Sequence, residues 1–327
     1  MKAIVLVSGG LDSILAVRAI KEQEIDPVAV HFHMPFVKPT EQQVRDKLHK
    51  NVVEQVGCRL RFEVVHDEYM QMFKSPKYGY GKNLNPCIDC KILFLTLARR
   101  IMDQEGASFV ATGEVVGQRP MSQQKSTLRQ IEKNCGLDGL LVRPLSALCM
   151  PETIPQKEGW LKPHKLFAMN GRTRTAQIKL AEKWGICEYP APAGGCLLTD
   201  PCFSRRLRDL MDHGDLNMRN IEFLKAGRHV RIADDLILTV GKDEPDNDRI
   251  ESMIDVSDYV FTADELPGPM AVARGSMDEE RKKLCASIVV RYTKAADRIN
   301  VSMAHNGGKE IIMADKIDDG VLREMIV

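Results

Sequence analysis

Long apolar runs and a net charge of either sign are missing from this sequence. No run of 18 apolar residues occurs, which argues against a transmembrane helix, and the chain enters a strand-like segment at once, which argues against a secretory signal. Its 46 basic and 45 acidic side chains leave a formal net charge of +1, so no overall field marks a nucleic-acid-binding protein. We therefore expect a cytoplasmic protein with no membrane partner, in which any nucleic acid is met by local basic patches.

Cysteine, in contrast, is abundant. Nine cysteines are many for a cytoplasmic chain, and their odd number argues against a complete disulfide framework. Some are therefore candidate metal ligands, whereas Cys58 and Cys285 lie in apolar settings that are typical of inert buried thiols. With 327 residues, 44% of them hydrophobic, the chain is long enough to form two domains with cores of their own.

The sequence SGGLDS at positions 8–13 is typical of a phosphate-binding turn between a buried strand and a helix. Gly9 and Gly10 let the backbone turn tightly, and the first amides of the helix point at an anion with the helix dipole behind them. The hydroxyls of Ser8 and Ser13 can add hydrogen bonds, and Asp12 can hold a Mg²⁺ ion that bridges phosphate oxygens. The lysine of GxxxxGK[ST] is missing, so this is not a Walker-type loop. An ordinary strand-to-helix turn is the alternative.

Strand-like and helix-like segments alternate after this turn. Pro27–His33 and Arg59–Val65 predict strands, and Thr40–Val56 predicts a helix. This order predicts an α/β domain with a doubly wound parallel sheet, in which ligands bind beyond the carboxyl ends of the strands. His31 lies near that end of the second strand and is a candidate to flank an adenosine, although a histidine there is often structural.

The segment Tyr69–Pro86 carries lysines and tyrosines among glycines and asparagines, which predicts a long loop. Such a loop can neutralise and stack on RNA, or it can be a solvated surface loop.

Cys87 and Cys90 form a CxxC pair at the start of a predicted helix. The helix dipole is expected to lower the pKa of both thiols, which suits redox chemistry or metal binding. A CxxC pair gives only two ligands, and Cys196, after the glycines Gly194 and Gly195, is a third candidate with which Cys202 competes. Thiolates suit zinc and iron-sulfur clusters alike, so residue type alone leaves the metal open.

Several motifs occur in an order that resembles a known family. SGGLDS resembles the signature of PP-loop ATP pyrophosphatases, and CxxCK, then FVATG and GEVVGQRPMSQ from 109 to 123, then LVRPL at 141–145, resemble the catalytic domain of tRNA 4-thiouridine synthetases. The likeness covers about residues 1–205 and is greatest to the iron-sulfur-dependent members. It implies an adenine nucleotide alpha-hydrolase-like fold that cleaves ATP between the α and β phosphates.

The same resemblance implies roles for individual residues. Asp12 and Lys91 are the catalytic candidates; Lys91 is a candidate to stabilise phosphate charge, with a surface lysine at a helix start as the alternative. The candidates for binding ATP are Ser8, Gly9, Gly10, Asp12, Ser13, His31, Thr112, Gly113 and Gln118. Cys87, Cys90 and Cys196 are implied to hold a [4Fe-4S] cluster with one iron left open, as an alternative to zinc, a persulfide-carrying pair or inert thiols.

The pattern weakens after Asp212, where we expect a domain boundary that separates 1–212 from 213–327. The second part predicts a smaller α+β domain, and its segments GRHVRI and TVGKDEPDNDRI resemble the NFACT-type RNA-binding domain. That resemblance implies phosphate contacts by Arg228, Arg231, Lys242 and Arg274. The alternative is that these basic side chains only solvate the surface.

Together, the resemblances imply ATP-dependent thiolation of a tRNA uridine, with ATP, Mg²⁺ and a [4Fe-4S] cluster as cofactors and sulfide or another sulfur donor as co-substrate. Such synthetases usually carry an RNA-binding THUMP region ahead of the catalytic domain, which this sequence does not show, so we expect its C-terminal domain to meet the tRNA. An amidating or amine-ligating PP-loop enzyme and a non-catalytic RNA-binding or sulfur-carrier protein are the alternatives.

Overall fold

The computed structural model describes residues 1–191, 196–264, 266–295 and 298–327. The expected glycines before Cys196, Gly194 and Gly195, lie outside the described residues. The chain divides into two compact units, Met1–Cys196 and Leu197–Val327. Within the described residues, no helix has both the length and the apolar character needed to cross a membrane.

The described part of the first unit contains a five-stranded parallel sheet. Its strands are β1 (Lys2–Leu6), β2 (Asp26–His33), β3 (Arg59–Val64), β4 (Phe109–Thr112) and β5 (Leu141–Val142), in the order β3-β2-β1-β4-β5. Ala3, Ile4 and Val5 of the central strand are fully buried, as expected of a parallel strand covered on both faces. The predicted α/β fold with a parallel sheet is thus confirmed.

Helices cover this sheet. They are α1 (Leu11–Glu22), α2 (Glu41–Leu48), α3 (His66–Lys74), α4 (Cys87–Glu105), α5 (Lys125–Asn134), α6 (Ile154–Lys157) and α7 (Thr175–Lys183). A π-helix, His49–Glu54, continues α2, and short 3₁₀ turns occupy Ala147–Cys149 and Pro163–Lys165. Thr40 and Gln43 form a capping box at the start of α2, so the local sequence itself fixes where that helix begins.

The predicted loop Tyr69–Pro86 is wrong over its first residues. The helix α3 runs to Lys74, because Tyr69, Met70 and Phe73 share one buried face at helical spacing. The lysine and tyrosine content of the segment obscured that pattern.

The second unit contains an antiparallel sheet and its own core. Its helices are α8 (Pro201–Asp212), α9 (Met218–Phe223), α10 (Glu244–Glu251), α11 (Glu279–Arg291) and α12 (Asp319–Met325), after a 3₁₀ turn at Leu197–Thr199. Its strands are β6 (Arg228–Ala233), β7 (Leu236–Val240), β8 (Tyr259–Ala263), β9 (Ala271–Gly275), β10 (Ile299–His305) and β11 (Gly308–Ala314), in the order β11-β10-β8-β9-β7-β6. The predicted separate α+β domain is confirmed.

The division between the two compact units falls after Cys196, earlier in the chain than the boundary expected from the sequence at 212/213. The difference concerns α8, whose apolar face is buried and whose Asp209 pairs with Arg231 of β6. Helix α8 therefore belongs to the second unit by its contacts.

Candidate functional site

The order of the strands in the first unit creates a crevice. The chain leaves β1 towards β2 and β3, and returns on the other side of β1 to form β4. At such a reversal, the loops that follow the two neighbouring strands part and leave room for a ligand. The loop at 8–10 follows β1 and Gly113 follows β4, so both lie at this switch point.

The turn at 8–10 is held by its own serines. Gly9 has φ +74°, a left-handed conformation that favours glycine. The hydroxyl of Ser13 donates to the carbonyl of Gly10 at 2.8 Å and accepts from the amide of Ser8 at 3.3 Å. Helix α1 begins directly after Gly10, with Asp12 in its first turn. The backbone is thus arranged as in an anion-binding strand–turn–helix.

Gly113 lies against the start of α1. A Cβ atom at this position would lie 2.6 Å from the amide nitrogen of Ser13 and closer still to the carbonyl oxygen of Asp12. Only glycine therefore allows the end of β4 to pack this closely on the turn. Thr112, the last residue of β4, is buried and donates a hydrogen bond to Glu114 at 3.2 Å.

The two carboxylate oxygens of Asp12 differ in their surroundings. Gln118 Nε2 donates to Oδ2 at 3.0 Å, and a guanidinium nitrogen of Arg174 lies 3.9 Å from the same oxygen. Among the described residues, the other oxygen, Oδ1, is buried without a hydrogen-bond partner, and so is Nε of Arg174. Orphaned buried polar atoms of opposite charge at a strand switch point indicate a place where a polar ligand or cation belongs.

His31 lies near the same edge of the sheet and is uncharged at neutral pH. Its Nδ1 lies 2.8 Å from the carbonyl oxygen of Val7, so Nδ1 carries the proton and donates it. Burial lowers the pKa of His31 to about 4, despite this hydrogen bond. Phe62 packs against its ring at 5.0 Å between centroids. At neutral pH, the uncharged ring of His31 and the neighbouring ring of Phe62 therefore form an aromatic surface.

Lys91 lies in a chain of alternating charges. Its Nζ is 2.5 Å from Oε1 of Glu114 and 3.0 Å from the carbonyl oxygen of Ser122. Arg143 contacts the other oxygen of Glu114 at 3.1 Å and reaches Glu132 at 3.2 Å. Burial alone raises the pKa of Glu114, but the charges and hydrogen bonds of Lys91 and Arg143 outweigh it and lower the pKa to about 2.

Cys90 lies near the other two candidate cysteines, Cys87 and Cys196. Burial above all raises the pKa of Cys90 to about 12; a hydrogen bond from Tyr69 opposes this rise, and Cys196 and Cys87 add to it. The expectation that the helix dipole lowers this pKa is therefore wrong for Cys90, because its burial outweighs the dipole. Cys202, the competing candidate, is exposed in the second unit.

Soft thiols brought near one another are a donor set that fits an iron-sulfur cluster or zinc. Among the described residues, however, no group of three or more His, Cys, Asp or Glu side chains is arranged to hold a metal ion. The sequence-derived roles of the cysteines, as of Lys91 and the nucleotide-binding residues, stay predictions.

Two partners in this region were not assigned to the site from sequence. Arg174 received no role from the sequence, yet its guanidinium lies within ion-pair distance of Asp12, from a position just before α7. Arg143 lies in LVRPL, which carried the resemblance without a role for its arginine. For neither arginine does the surrounding sequence indicate a partner that lies far along the chain.

In the second unit, three of the four expected phosphate contacts, Arg228, Arg231 and Arg274, already have partners within the unit. Arg231 pairs with Asp209 and, at 2.9 Å, with Asp215. Arg274 is buried and donates to Asn220 at 2.7 Å. Both side chains hold the unit together, so the structure does not support them as phosphate contacts. Lys242 is exposed, and Arg228 lies over the ring of Tyr292 at 4.6 Å.

Two family models match this chain. Residues 1–154 match the model described as thiamine biosynthesis protein (ThiI), and residues 227–324 match the model of the NFACT protein RNA binding domain. The resemblances predicted from the motifs are confirmed.

Individual relatives match the N-terminal part. A probable tRNA sulfurtransferase of Thermoanaerobacter sp. (strain X514) is 30% identical over 123 residues, which are 36% of this chain and 30% of the relative. A tRNA-specific 2-thiouridylase MnmA of Campylobacter curvus (strain 525.92) is 29% identical over 122 residues, 36% of this chain and 35% of the relative. The chain thus spans about a third of the length of these curated relatives.

Solved structures show partial likeness. One is a 4-thiouridine synthetase in complex with RNA and bound ATP, which is 23% identical with a TM-score of 0.40. The match covers 57% of this chain and 41% of the synthetase chain. Another is the C-terminal part of the fibronectin/fibrinogen-binding protein of Streptococcus suis, which is 15% identical with a TM-score of 0.29. The match covers 73% of this chain and 90% of that chain.

Proposed function

We propose that this chain is an ATP-dependent tRNA sulfurtransferase that replaces a carbonyl oxygen of a uridine with sulfur. The observation that carries the proposal is that the first unit combines two features. One is a strand–turn–helix anion site in which an oxygen of Asp12 has no hydrogen-bond partner among the described residues, and the other is the placement of Cys90 near Cys87 and Cys196. The confirmed resemblance of residues 1–154 supports the same activity.

In the first step, ATP lies on the turn formed by Ser8, Gly9, Gly10 and Ser13, with Gly113 beside it and His31 next to the adenosine. Thr112 and Gln118 are the further proposed nucleotide contacts. A Mg²⁺ ion held by Asp12 would neutralise the phosphates and orient them. The uridine carbonyl oxygen attacks the α phosphorus, the bond to the β phosphate breaks, and pyrophosphate leaves. The products are an adenylated uridine and pyrophosphate.

In the second step, hydrosulfide attacks the carbon that carries the adenylate, the carbon–oxygen bond breaks, and AMP leaves with the electron pair. Adenylation is needed because a uridine oxygen is by itself a poor leaving group. Cys87, Cys90 and Cys196 are the residues that would hold a [4Fe-4S] cluster, which would supply the sulfide for this step. The base must be unstacked from the tRNA to reach both reactants.

The second unit supplies the proposed RNA contact. Residues 227–324 match an RNA-binding domain model, which supports tRNA as the substrate. All nine cysteines are free thiols, which supports action in a reducing compartment such as the cytoplasm.

The test is a reaction of anaerobically purified protein with tRNA, ATP and sulfide. We expect thiouridine, AMP and pyrophosphate in equal amounts, and iron and acid-labile sulfide in the protein. Mass spectrometry of tRNA nucleosides from cells with and without the gene then distinguishes 2-thiouridine from 4-thiouridine. Stoichiometric zinc without iron would exclude the cluster, and an aminated instead of a thiolated product would favour the amidating alternative. Binding of tRNA without turnover would favour an accessory protein.

A further inference from the structure

A basic surface segment precedes the CxxC turn. We define it as the segment 74–86, which follows the buried part of α3 and ends where α4 begins. It contains Lys74, Lys77 and Lys82, all three exposed, and the sequence has no acidic residue anywhere from 69 to 86. In a chain whose net charge is only +1, this is a local excess of positive charge.

The basic segment is fixed in place by Asp89, the second residue between the two cysteines of the CxxC pair. Asp89 is buried, and its two carboxylate oxygens accept the backbone amides of Lys77 at 2.9 Å and Tyr78 at 3.0 Å. Each oxygen thus satisfies one donor of the segment, and charge-assisted hydrogen bonds of this kind are among the stronger ones.

Tyrosines tie the same segment down at two more points. The hydroxyl of Tyr78 donates to Oδ1 of Asn134 on α5 at 3.1 Å, and the hydroxyl of Tyr80 donates to the carbonyl oxygen of Phe73 at 2.6 Å. The backbone is therefore ordered while its lysine side chains are exposed, with Nζ of Lys77 at 3.4 Å from Oδ1 of Asn134. A surface of this kind has its charges placed before a partner arrives, which reduces the entropy cost of binding.

We propose that the basic segment binds the sugar–phosphate backbone of the substrate RNA next to the target base, and that Asp89 is the positioning residue that holds it against the cysteine turn. This inference rests on the proposed function and adds a second RNA contact, in the first unit. The first turn of α4 carries Asp89 together with the thiols of Cys87 and Cys90. An RNA strand bound by the lysines therefore lies next to the proposed place of sulfur transfer.

RNA fits this surface better than a protein partner does. Protein interfaces depend on apolar or aromatic anchors at their centre. Here the apolar Leu84 is buried, and the exposed side chains are lysines among small or polar residues. Phosphate contacts need only positioned cations, and they fix the register of a nucleic acid without reading its sequence.

The first experiment removes the charges. A triple variant, Lys74→Gln, Lys77→Gln and Lys82→Gln, is compared with a control triple, Lys47→Gln, Lys157→Gln and Lys183→Gln, which removes the same charge from exposed lysines of α2, α6 and α7. Fluorescence anisotropy measures tRNA binding over a salt series. We expect at least about tenfold weaker binding and a slope of log K against log salt that is shallower by about 2, while the control triple binds as the native protein does.

The second experiment loosens the segment without changing its lysines. Asp89→Asn keeps the size of the side chain but turns an amide group towards a backbone N–H, so one of the two amides loses its acceptor. We expect faster tryptic cleavage after Lys77 and Lys82, and a KM for tRNA raised several-fold with unchanged affinity for ATP. A purely structural role of Asp89 would instead lower stability and leave the ratio of the two affinities unchanged.

The outcomes separate this inference from the proposed function. If the native protein thiolates tRNA and the lysine triple binds tRNA with native affinity and salt slope, the basic segment is not an RNA contact and the proposed function stands. If the triple keeps its tRNA affinity but loses sulfur uptake from a protein donor, the segment binds protein and the inference is wrong. If the native protein neither binds nor thiolates tRNA, both proposals fail.

Discussion

Lys91 Nζ lies 2.5 Å from Oε1 of Glu114, and Arg143 contacts the opposite oxygen of the same carboxylate at 3.1 Å. The partly buried carboxylate of Glu114 therefore holds two cations, one from α4 and one from the segment after β5. The lysine proposed to stabilise phosphate charge is thus positioned by Glu114, which fixes its ammonium but also neutralises part of its charge.

Glu114 makes stability depend on acid. Because its folded pKa is lowered to about 2 from 4.5, the stabilisation is fully present above pH 4.5 and is lost as the pH falls towards 2. Glu114→Gln should cost about 3 kcal/mol of unfolding free energy at pH 7, and this difference should shrink below pH 4.5. Urea unfolding between pH 7 and pH 3 measures it, followed by the fluorescence of Trp160 and Trp184, both of which belong to the first unit. A difference that stays constant with pH would contradict the lowered pKa.

Lys91 can be tested as a catalytic group separately from its structural role. Lys91→Met should lower the rate of tRNA-dependent pyrophosphate release about 10²- to 10³-fold, because a preorganised cation at the transferring phosphate is lost. The measured quantity is kcat per folded molecule, with the folded fraction taken from urea unfolding. Lys133→Met, an exposed lysine of α5, is the control and should be native in rate. If folded Lys91→Met turns over at the native rate, Lys91 has no catalytic role and serves only in its ion pair with Glu114.

Gly113 offers a test of the nucleotide turn. In Gly113→Ala, the added methyl would overlap the backbone of Asp12 and Ser13, and backbone cannot move aside as a flexible side chain can. We expect ATP affinity to fall about tenfold or more, measured by calorimetry at constant Mg²⁺. Gly308→Ala is the matched control, since its nearest atom, the carbonyl oxygen of His305, lies 3.4 Å from the added methyl. Equal loss in both variants would indicate a general loss of stability instead.

Local patterns predicted those parts of the fold that local sequence determines. The buried strands, the glycine turn before α1 and the helix that begins at Cys87 follow from runs of apolar residues, from glycines and from spacing along one segment. The part of α3 from Tyr69 to Lys74 was predicted as loop because its buried residues, Tyr69, Met70 and Phe73, are mixed with polar ones that are typical of loops. A helical face of three residues is too short to outweigh composition.

Contacts between distant parts of the chain could not be predicted in the same way. The approach of Arg174 to Asp12, and of Arg143 to Glu114, depends on how strands and helices pack, which no single segment encodes. The ionisation of Cys90 shows the same limit. The sequence shows that Cys90 lies at a helix start, where the helix dipole lowers a thiol pKa. Burial raises the pKa of Cys90 by more than this, and burial is a property of the whole unit.

The cysteines can be separated from the adenylating chemistry by substitution. Cys87→Ala, Cys90→Ala and Cys196→Ala should each abolish thiouridine formation while tRNA-dependent pyrophosphate release continues, because the proposed first step uses only the nucleotide turn and its neighbours. Cys187→Ala, an exposed thiol of the same unit, is the control and should keep both activities. Pyrophosphate is measured by a coupled assay and the nucleoside by mass spectrometry on the same reaction. Full product formation in all three variants would show that the nucleophile needs no thiol, which is the behaviour expected of an amidating or amine-ligating enzyme.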